Sequence, residues 1–295
     1  MKSVARALWR AWRLSLAVVG LCLAVSGQAR ADLAFGAATS LRLGGLPSEM
    51  ATGDFNEDGR PDLVVVDRLG STVKILLNTG GVSGFSEAGA FSVGSAPYGV
   101  AAADFNGDGH LDVAVTSFNN GTATIHLGDG SGGLSAPVTF GAGLNPRDLT
   151  VADFDGDGRL DLAIAVFSGA QKGVSVLWGD GDGRFDGRPR TDIGLGVAGR
   201  HVVSGDWNED GHVDIVAGSG DGVFLLLGNG AGGFAAAQRV TGDEYVPFVA
   251  AGDANGDGHL DILALVQNTS ASPVLLLGDG QGGFSRRGVG PAFGR

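Results

Sequence analysis

Asp104-Phe105-Asn106-Gly107-Asp108-Gly109-His110-Leu111-Asp112 places oxygen-bearing side chains at its first, third, fifth and ninth positions and glycine at its sixth. Four more stretches repeat it: Asp54-Phe55-Asn56-Glu57-Asp58-Gly59-Arg60-Pro61-Asp62, Asp153-Phe154-Asp155-Gly156-Asp157-Gly158-Arg159-Leu160-Asp161, Asp206-Trp207-Asn208-Glu209-Asp210-Gly211-His212-Val213-Asp214 and Asp253-Ala254-Asn255-Gly256-Asp257-Gly258-His259-Leu260-Asp261. Their starts lie 47 to 53 residues apart, so the chain is built from an internal repeat.

A second signature follows each acidic stretch at nearly constant distance: Leu77-Asn78-Thr79-Gly80, Leu127-Gly128-Asp129-Gly130, Trp178-Gly179-Asp180-Gly181, Leu227-Gly228-Asn229-Gly230 and Leu277-Gly278-Asp279-Gly280. Every unit therefore carries two turns at fixed places. Runs rich in Val, Ile, Leu and Ala lie between them, at 63–66, 113–116, 162–166 and 262–266. They are too short for helices and predict strands buried on both faces.

In the second unit the predicted strands cover 99–103, the run after the acidic loop, 122–127 and 135–140. Four antiparallel strands in about 50 residues make a propeller blade. The predicted fold is all-β: a β-propeller of four-stranded blades, five in number, with an acidic loop between strands 1 and 2 of each. A calcium β-roll also uses Gly and Asp, but its repeat of about nine residues does not match. The 54 glycines among 295 residues disfavour long helices and supply turns. Disorder is the plain alternative for so much glycine, and apolar runs recurring in phase argue against it.

Calcium takes about six to eight hard oxygen ligands, and alternate residues of a tight loop can aim theirs at one centre. The predicted ligands are Asp54, Asn56, Asp58, Arg60 and Asp62; Asp104, Asn106, Asp108, His110 and Asp112; Asp153, Asp155, Asp157, Arg159 and Asp161; Asp206, Asn208, Asp210, His212 and Asp214; and Asp253, Asn255, Asp257, His259 and Asp261. Arg60, His110, Arg159, His212 and His259 at position 7 would offer the backbone carbonyl. Up to five structural Ca2+ ions are expected. Zinc would favour His or Cys, and magnesium stricter octahedral geometry. An EF-hand would need a bidentate Glu at position 12, where Val65, Val115, Ile164, Ala217 and Ala264 stand. Turn-making alone could explain one such loop. Sixteen of the 32 acidic residues at ligand positions of five loops repel one another without a cation.

Lys2, Arg6, Arg10 and Arg13 precede an apolar run at 14–25, and Ala29-Arg30-Ala31 offers a small-residue cleavage site. Residues 1–31 read as a signal peptide, which predicts a secreted or periplasmic protein over 32–295. No later run is long enough for a membrane span. Cys22 would leave with the leader, and the loss of five basic residues would take the formal charge from −12 to −17. That acidity disfavours nucleic acid and anionic membranes and favours cations.

These loops resemble the FG-GAP/VCBS repeats, the calcium-binding β-propellers that include the head of integrin α subunits. Ser95-Ala96-Pro97 ahead of Ala103-Asp104-Phe105 matches the small-x-Pro lead into the family's calcium loop. The resemblance covers nearly all of 32–295. Family propellers usually have seven blades, and five complete loops are present here. A strand at 33–43 aligns with a fourth strand, as does 284–293. Either the N-terminal strand joins the last blade and closes a five-bladed ring, which is the expectation, or the ends remain edges and the ring is completed otherwise.

The resemblance implies that ligands bind opposite the calcium loops, where strands 2 to 3 and successive blades are joined. The repeats differ there. The candidate ligand residues are Tyr98, Phe118, Asn119, Arg147, Lys172, Arg200, His201 and Phe248, a set suited to a polysaccharide or a protein loop. His126 replaces an otherwise constant leucine and reads as a core histidine. No nucleophile elbow, zinc-protease helix or phosphate loop is present. The expected function is a non-enzymatic binding module of the cell-adhesion kind. The alternatives are a carbohydrate-active enzyme resembling polysaccharide lyases, and a structural piece of a larger adhesin.

Overall fold

A computed structural model describes residues 43–81, 84–242, 244–267 and 273–288. The expected leader and nearly all of the strand at 33–43 lie outside the described residues. Among those described there are twenty strands and no helix. They form five four-stranded antiparallel sheets, each with its strands in chain order within the sheet.

Blade 1 comprises β1 (Pro47–Gly53), β2 (Asp62–Asp67), β3 (Thr72–Asn78) and β4 (Phe85–Ser92). Blade 2 comprises β5 (Pro97–Ala103), β6 (Asp112–Ser117), β7 (Thr122–His126) and β8 (Val138–Gly141). Blade 3 is β9 (Leu144–Ala152), β10 (Asp161–Ser168), β11 (Gly173–Leu177) and β12 (Thr191–Gly194). Blade 4 is β13 (Gly199–Gly205), β14 (Asp214–Ser219), β15 (Gly222–Leu226) and β16 (Gln238–Arg239). Blade 5 is β17 (Phe248–Gly252), β18 (Asp261–Leu265), β19 (Pro273–Gly278) and β20 (Phe284–Gly288).

Four apolar clusters lie between consecutive blades. Val64, Val66, Val73 and Ile75 of blade 1 meet Val100, Val113 and Val115 of blade 2. Ala114, Ala123 and Ile125 then meet Leu149, Leu162 and Ile164. Ala163, Ala165, Val174 and Val176 meet Val202, Ile215, Ala217 and Leu226. Val216, Val223 and Leu225 meet Val249, Ile262, Ala264 and Leu276. The aromatic at loop position 2 reaches into the following interface: Phe55, Phe105, Phe154 and Trp207 each belong to the cluster shared with the next blade. In blade 5 that position is Ala254.

The middle strands of the inner blades are buried on both faces, as the apolar runs imply, because each packs between two blades. The end blades differ. Leu63 and Leu263 are half-buried and Leu265 is 43% exposed. The N-terminal strand expected to close the ring lies outside the described residues. Blade 5 takes its fourth strand, β20, from its own segment, and no apolar cluster among the described residues joins blade 5 to blade 1.

Candidate functional site

Antiparallel order puts the 1–2 and 3–4 turns on one face and the 2–3 and blade-to-blade connections on the other. On the first face, the position-9 aspartate is a buried bracket. Asp112 accepts from Phe105 N at 2.8 Å and from Gly128 N, at the start of the glycine turn, at 2.8 Å. Asp62, Asp161, Asp214 and Asp261 repeat both bonds with their own loop and turn. This ties together the two turns of each blade that the sequence spaces so regularly.

The position-1 aspartate accepts from the backbone N–H of position 6, as Asp104 does from Gly109 at 2.9 Å. The position-6 glycines have φ of 81° to 94°, a region that side-chain-bearing residues rarely adopt. Position 3 Asn106 donates to Asp108, which accepts from His110 N. Burial first, and then repulsion from neighbouring aspartates, pushes Asp161 up to about 7 and Asp112 and Asp214 to about 6. Asp108, Asp210 and Asp257 are held below the ordinary carboxylate range, chiefly by the backbone N–H of position 7.

These donors fit calcium: hard oxygens only, gathered by a loop already folded around them. In the third loop, carboxylate oxygens of Asp153, Asp155 and Asp161 all lie within 4.8 Å of one another. The other four loops carry Asn at position 3, a neutral oxygen donor.

The opposite face gathers most of the ligand residues expected there. Two repeat positions build it. Six residues before the second, third and fourth loops stand Tyr98, Arg147 and Arg200; fourteen after the first aspartate of the first, second and third loops stand Arg68, Phe118 and Phe167. The Arg68 guanidinium lies 3.9 Å from the centre of the Tyr98 ring, and Arg147 lies 5.1 Å from Tyr98, 5.5 Å from Phe118 and 4.4 Å from Phe167. Arg200 follows, 4.9 Å from Phe167 and 4.3 Å from Tyr245. Tyr98 and Phe118 are 5.4 Å apart, and Phe118 and Phe167 6.0 Å. The result is one cation–aromatic row across blades 1 to 4 and the connection that leads into blade 5.

The next residue inward forms a second group. Glu49, Asp148 and His201 offer ligand atoms within 4.8 Å of one another, and His201 stacks on Phe248 at 4.2 Å. Asp148 accepts from Val202 N at 2.8 Å. Burial, and secondarily Asp148, pushes Glu49 up to about 9. Burial also raises Asp148, against the pull of His201.

Asn119 is exposed on the blade 2 turn, where it donates to Ser95 Oγ at 3.2 Å, and no ring or ion-pair contact joins it or Lys172 to the row among the described residues. Arg68, Phe167, Tyr245, Glu49 and Asp148 were not among the expected ligand residues. Aligning the units at the two repeat positions finds Arg68 and Phe167; Tyr245, from a connection of its own, has no such signal. His126 is buried as expected, with Nδ1 2.8 Å from Ser135 O.

Five four-stranded blades with an acidic loop between the first two strands of each define a repeat β-propeller. The chain belongs to the FG-GAP-like repeat family, whose model matches residues 54–115, 104–164, 163–217 and 206–264. No match is found among curated proteins. In fold it is similar to an Agrocybe aegerita lectin with specific recognition of non-reducing terminal N-acetylglucosamine, at TM-score 0.57 and 22% identity over 81% of this chain and 65% of the lectin. A Lactobacillus plantarum protein gives 0.56 and 15% over 81% and 69%, and the V. cholerae biofilm matrix protein Bap1 gives 0.50 and 20% over 83% and 39%. The chain thus spans less than two thirds of the lectin and of Bap1. At these identities the likeness is one of fold. Among the described residues no helix is long and apolar enough to cross a membrane.

Proposed function

We propose that this chain is an exported, calcium-stabilised binding module that catalyses no reaction and recognises a polysaccharide or protein through the face opposite its acidic loops. The carrying observation is the convergence of Tyr98, Phe118, Arg147 and Arg200, from three blades, into one row on that face. Half-buried aromatic and guanidinium groups on a rigid scaffold are what binding hot spots are made of. A lectin on a similar fold is consistent with a glycan ligand.

Calcium has a structural place in this reading. The aspartates, asparagines and position-7 carbonyls of the five loops would hold up to five ions. Bound there, the ion supplies positive charge that lets the carboxylates stay close, which stabilises the hairpin between strands 1 and 2. Export rests on the leader pattern of residues 1–31.

One observation favours the enzyme alternative. Glu49, Asp148 and His201 form a titratable cluster with shifted carboxyls on the ligand face, the kind of grouping found at catalytic sites. Glycan-array binding in calcium, followed by product analysis on every glycan bound, separates the two. Saturable binding without products supports the module; chain cleavage or release of unsaturated sugars replaces it with a lyase.

A further inference from the structure

We infer that Arg68, Arg147 and Arg200 form an anion-binding row whose ligand is a carboxylated glycan, a polysaccharide containing uronic acid. This deepens the binding-module reading and rests on it.

The three arginines differ from those held by an acidic partner. Arg60, Arg159, Arg184, Arg188, Arg190, Arg239 and Arg286 each touch a carboxylate. Arg68, Arg147 and Arg200 touch none among the described residues, although the chain carries 32 acidic residues against 20 basic ones. In all three the Nε is buried and has no hydrogen-bond partner among the described residues. A buried donor left unmade costs about 1–3 kcal/mol, more when charged. Nε itself is out of a ligand's reach, and the edge left for one is the Nη pair, which has no acceptor among the described residues.

The aromatic neighbours set what those acceptors are. Arg68 lies over Tyr98, Arg147 over Phe167, and Arg200 between Phe167 and Tyr245. A guanidinium stacked on a ring has its flat side covered and keeps its edge for in-plane bonds, the geometry that holds a carboxylate in two parallel hydrogen bonds. Burial first, and then Arg147, holds Arg200 below its ordinary pKa, so a negative ligand there relieves an existing strain between like charges.

The row runs across blades, so it suits a chain with spaced carboxylates better than a single small anion. The nearby Phe248, 37% exposed beside His201, offers a flat apolar surface to a sugar ring.

The test measures binding of oligogalacturonate, its methyl-esterified form, a neutral oligosaccharide of equal length and oligoglutamate to the full chain, at several salt concentrations. Oligogalacturonate should bind at least tenfold more tightly than its ester, with affinity falling as salt rises. R147Q and R200Q should each weaken it at least tenfold, while R190Q, which removes an arginine already paired with Asp192, should leave it unchanged. Equal binding of acid and ester by the unaltered chain overturns the inference without any variant having to fold. Saturable binding of the neutral sugar alone overturns it too but leaves the binding-module reading standing. Tighter binding of oligoglutamate overturns the glycan assignment in favour of an acidic peptide. Absence of binding to all four probes overturns the inference, and only a blank glycan array and protein capture would also remove the broader reading.

Discussion

Glu209 Oε1 lies 2.5 Å from His259 Nδ1, joining the acidic loop of blade 4 to that of blade 5. Glu57 and His110 make the same link between blades 1 and 2. Both glutamates stand at loop position 4, where the other three loops have glycine, and both adopt left-handed backbone, with φ of 57° and 58°. That conformation costs a residue with a side chain about 1–2 kcal/mol. The bond across the blade boundary accounts for a glutamate at such a position.

The hydrogen bond to Glu209 raises the pKa of His259, as that to Glu57 raises His110. Each pair therefore adds stability that is fully present below the ordinary histidine range and is lost as pH rises through the raised value. An NMR titration of the imidazole resonances should place both histidines above that range. Glu209→Gly should return His259 to the range and leave His110 where it was.

Chelation should lower the melting temperature, since an ion bound only by the folded chain stabilises it by mass action. Asp108→Ala should remove one ion from the bound total measured by elemental analysis, leaving the other loops loaded. An unchanged melting temperature after exhaustive demetallation would remove calcium from the account.

Without metal, Asp112, Asp161 and Asp214 work against folding at neutral pH. Their folded pKa values of about 6 to 7 lie above the ordinary aspartate value, so the folded state favours their uncharged form. Their contribution is most favourable below that ordinary value and is lost as pH rises through the folded ones. Calcium should therefore raise the melting temperature more at pH 8 than at pH 5, which calorimetry in chelator and in excess calcium would measure.

Asp161→Asn replaces an acceptor-only group with one that turns a donor toward either Phe154 N or Gly179 N, 2.9 and 2.8 Å away. One buried N–H then loses its partner, at a cost of about 1–3 kcal/mol. Trp207→Ala, which empties the interface of blades 4 and 5, should cost about 3–5 kcal/mol. Denaturant unfolding with calcium present would measure both.

Glu49→Gln should stabilise the chain in alkaline solution. Glu49 at about 9 resists ionisation in place, so the unaltered protein loses stability as pH rises from the ordinary glutamate value toward 9. The variant should lose that dependence, seen as a melting-temperature gap from the unaltered chain that widens between pH 6 and pH 9.

Much of the fold was legible because it is written locally. A loop with Asp at positions 1 and 9 and glycine at 6 specifies its own turn, and the distance to the following glycine turn sets the strand between them. The strand expected at 99–103 appears as Pro97–Ala103, and Thr122–His126 stands where 122–127 was expected. Even the change from Trp207 to Ala254 is visible in the sequence, but its meaning is not, because a side chain reaching into the next blade has no local signature.

The sequence by itself determined the repeat, the blades and the oxygen donors of each loop, since these depend on residues only a few positions apart. Tertiary structure alone decided that Arg68, Tyr98, Arg147, Phe167, Arg200 and Tyr245 form one row, and that Glu49 meets Asp148 and His201. Those neighbours come from different blades, up to about 177 positions apart along the chain, and only the packing of blade on blade around a common axis brings them together.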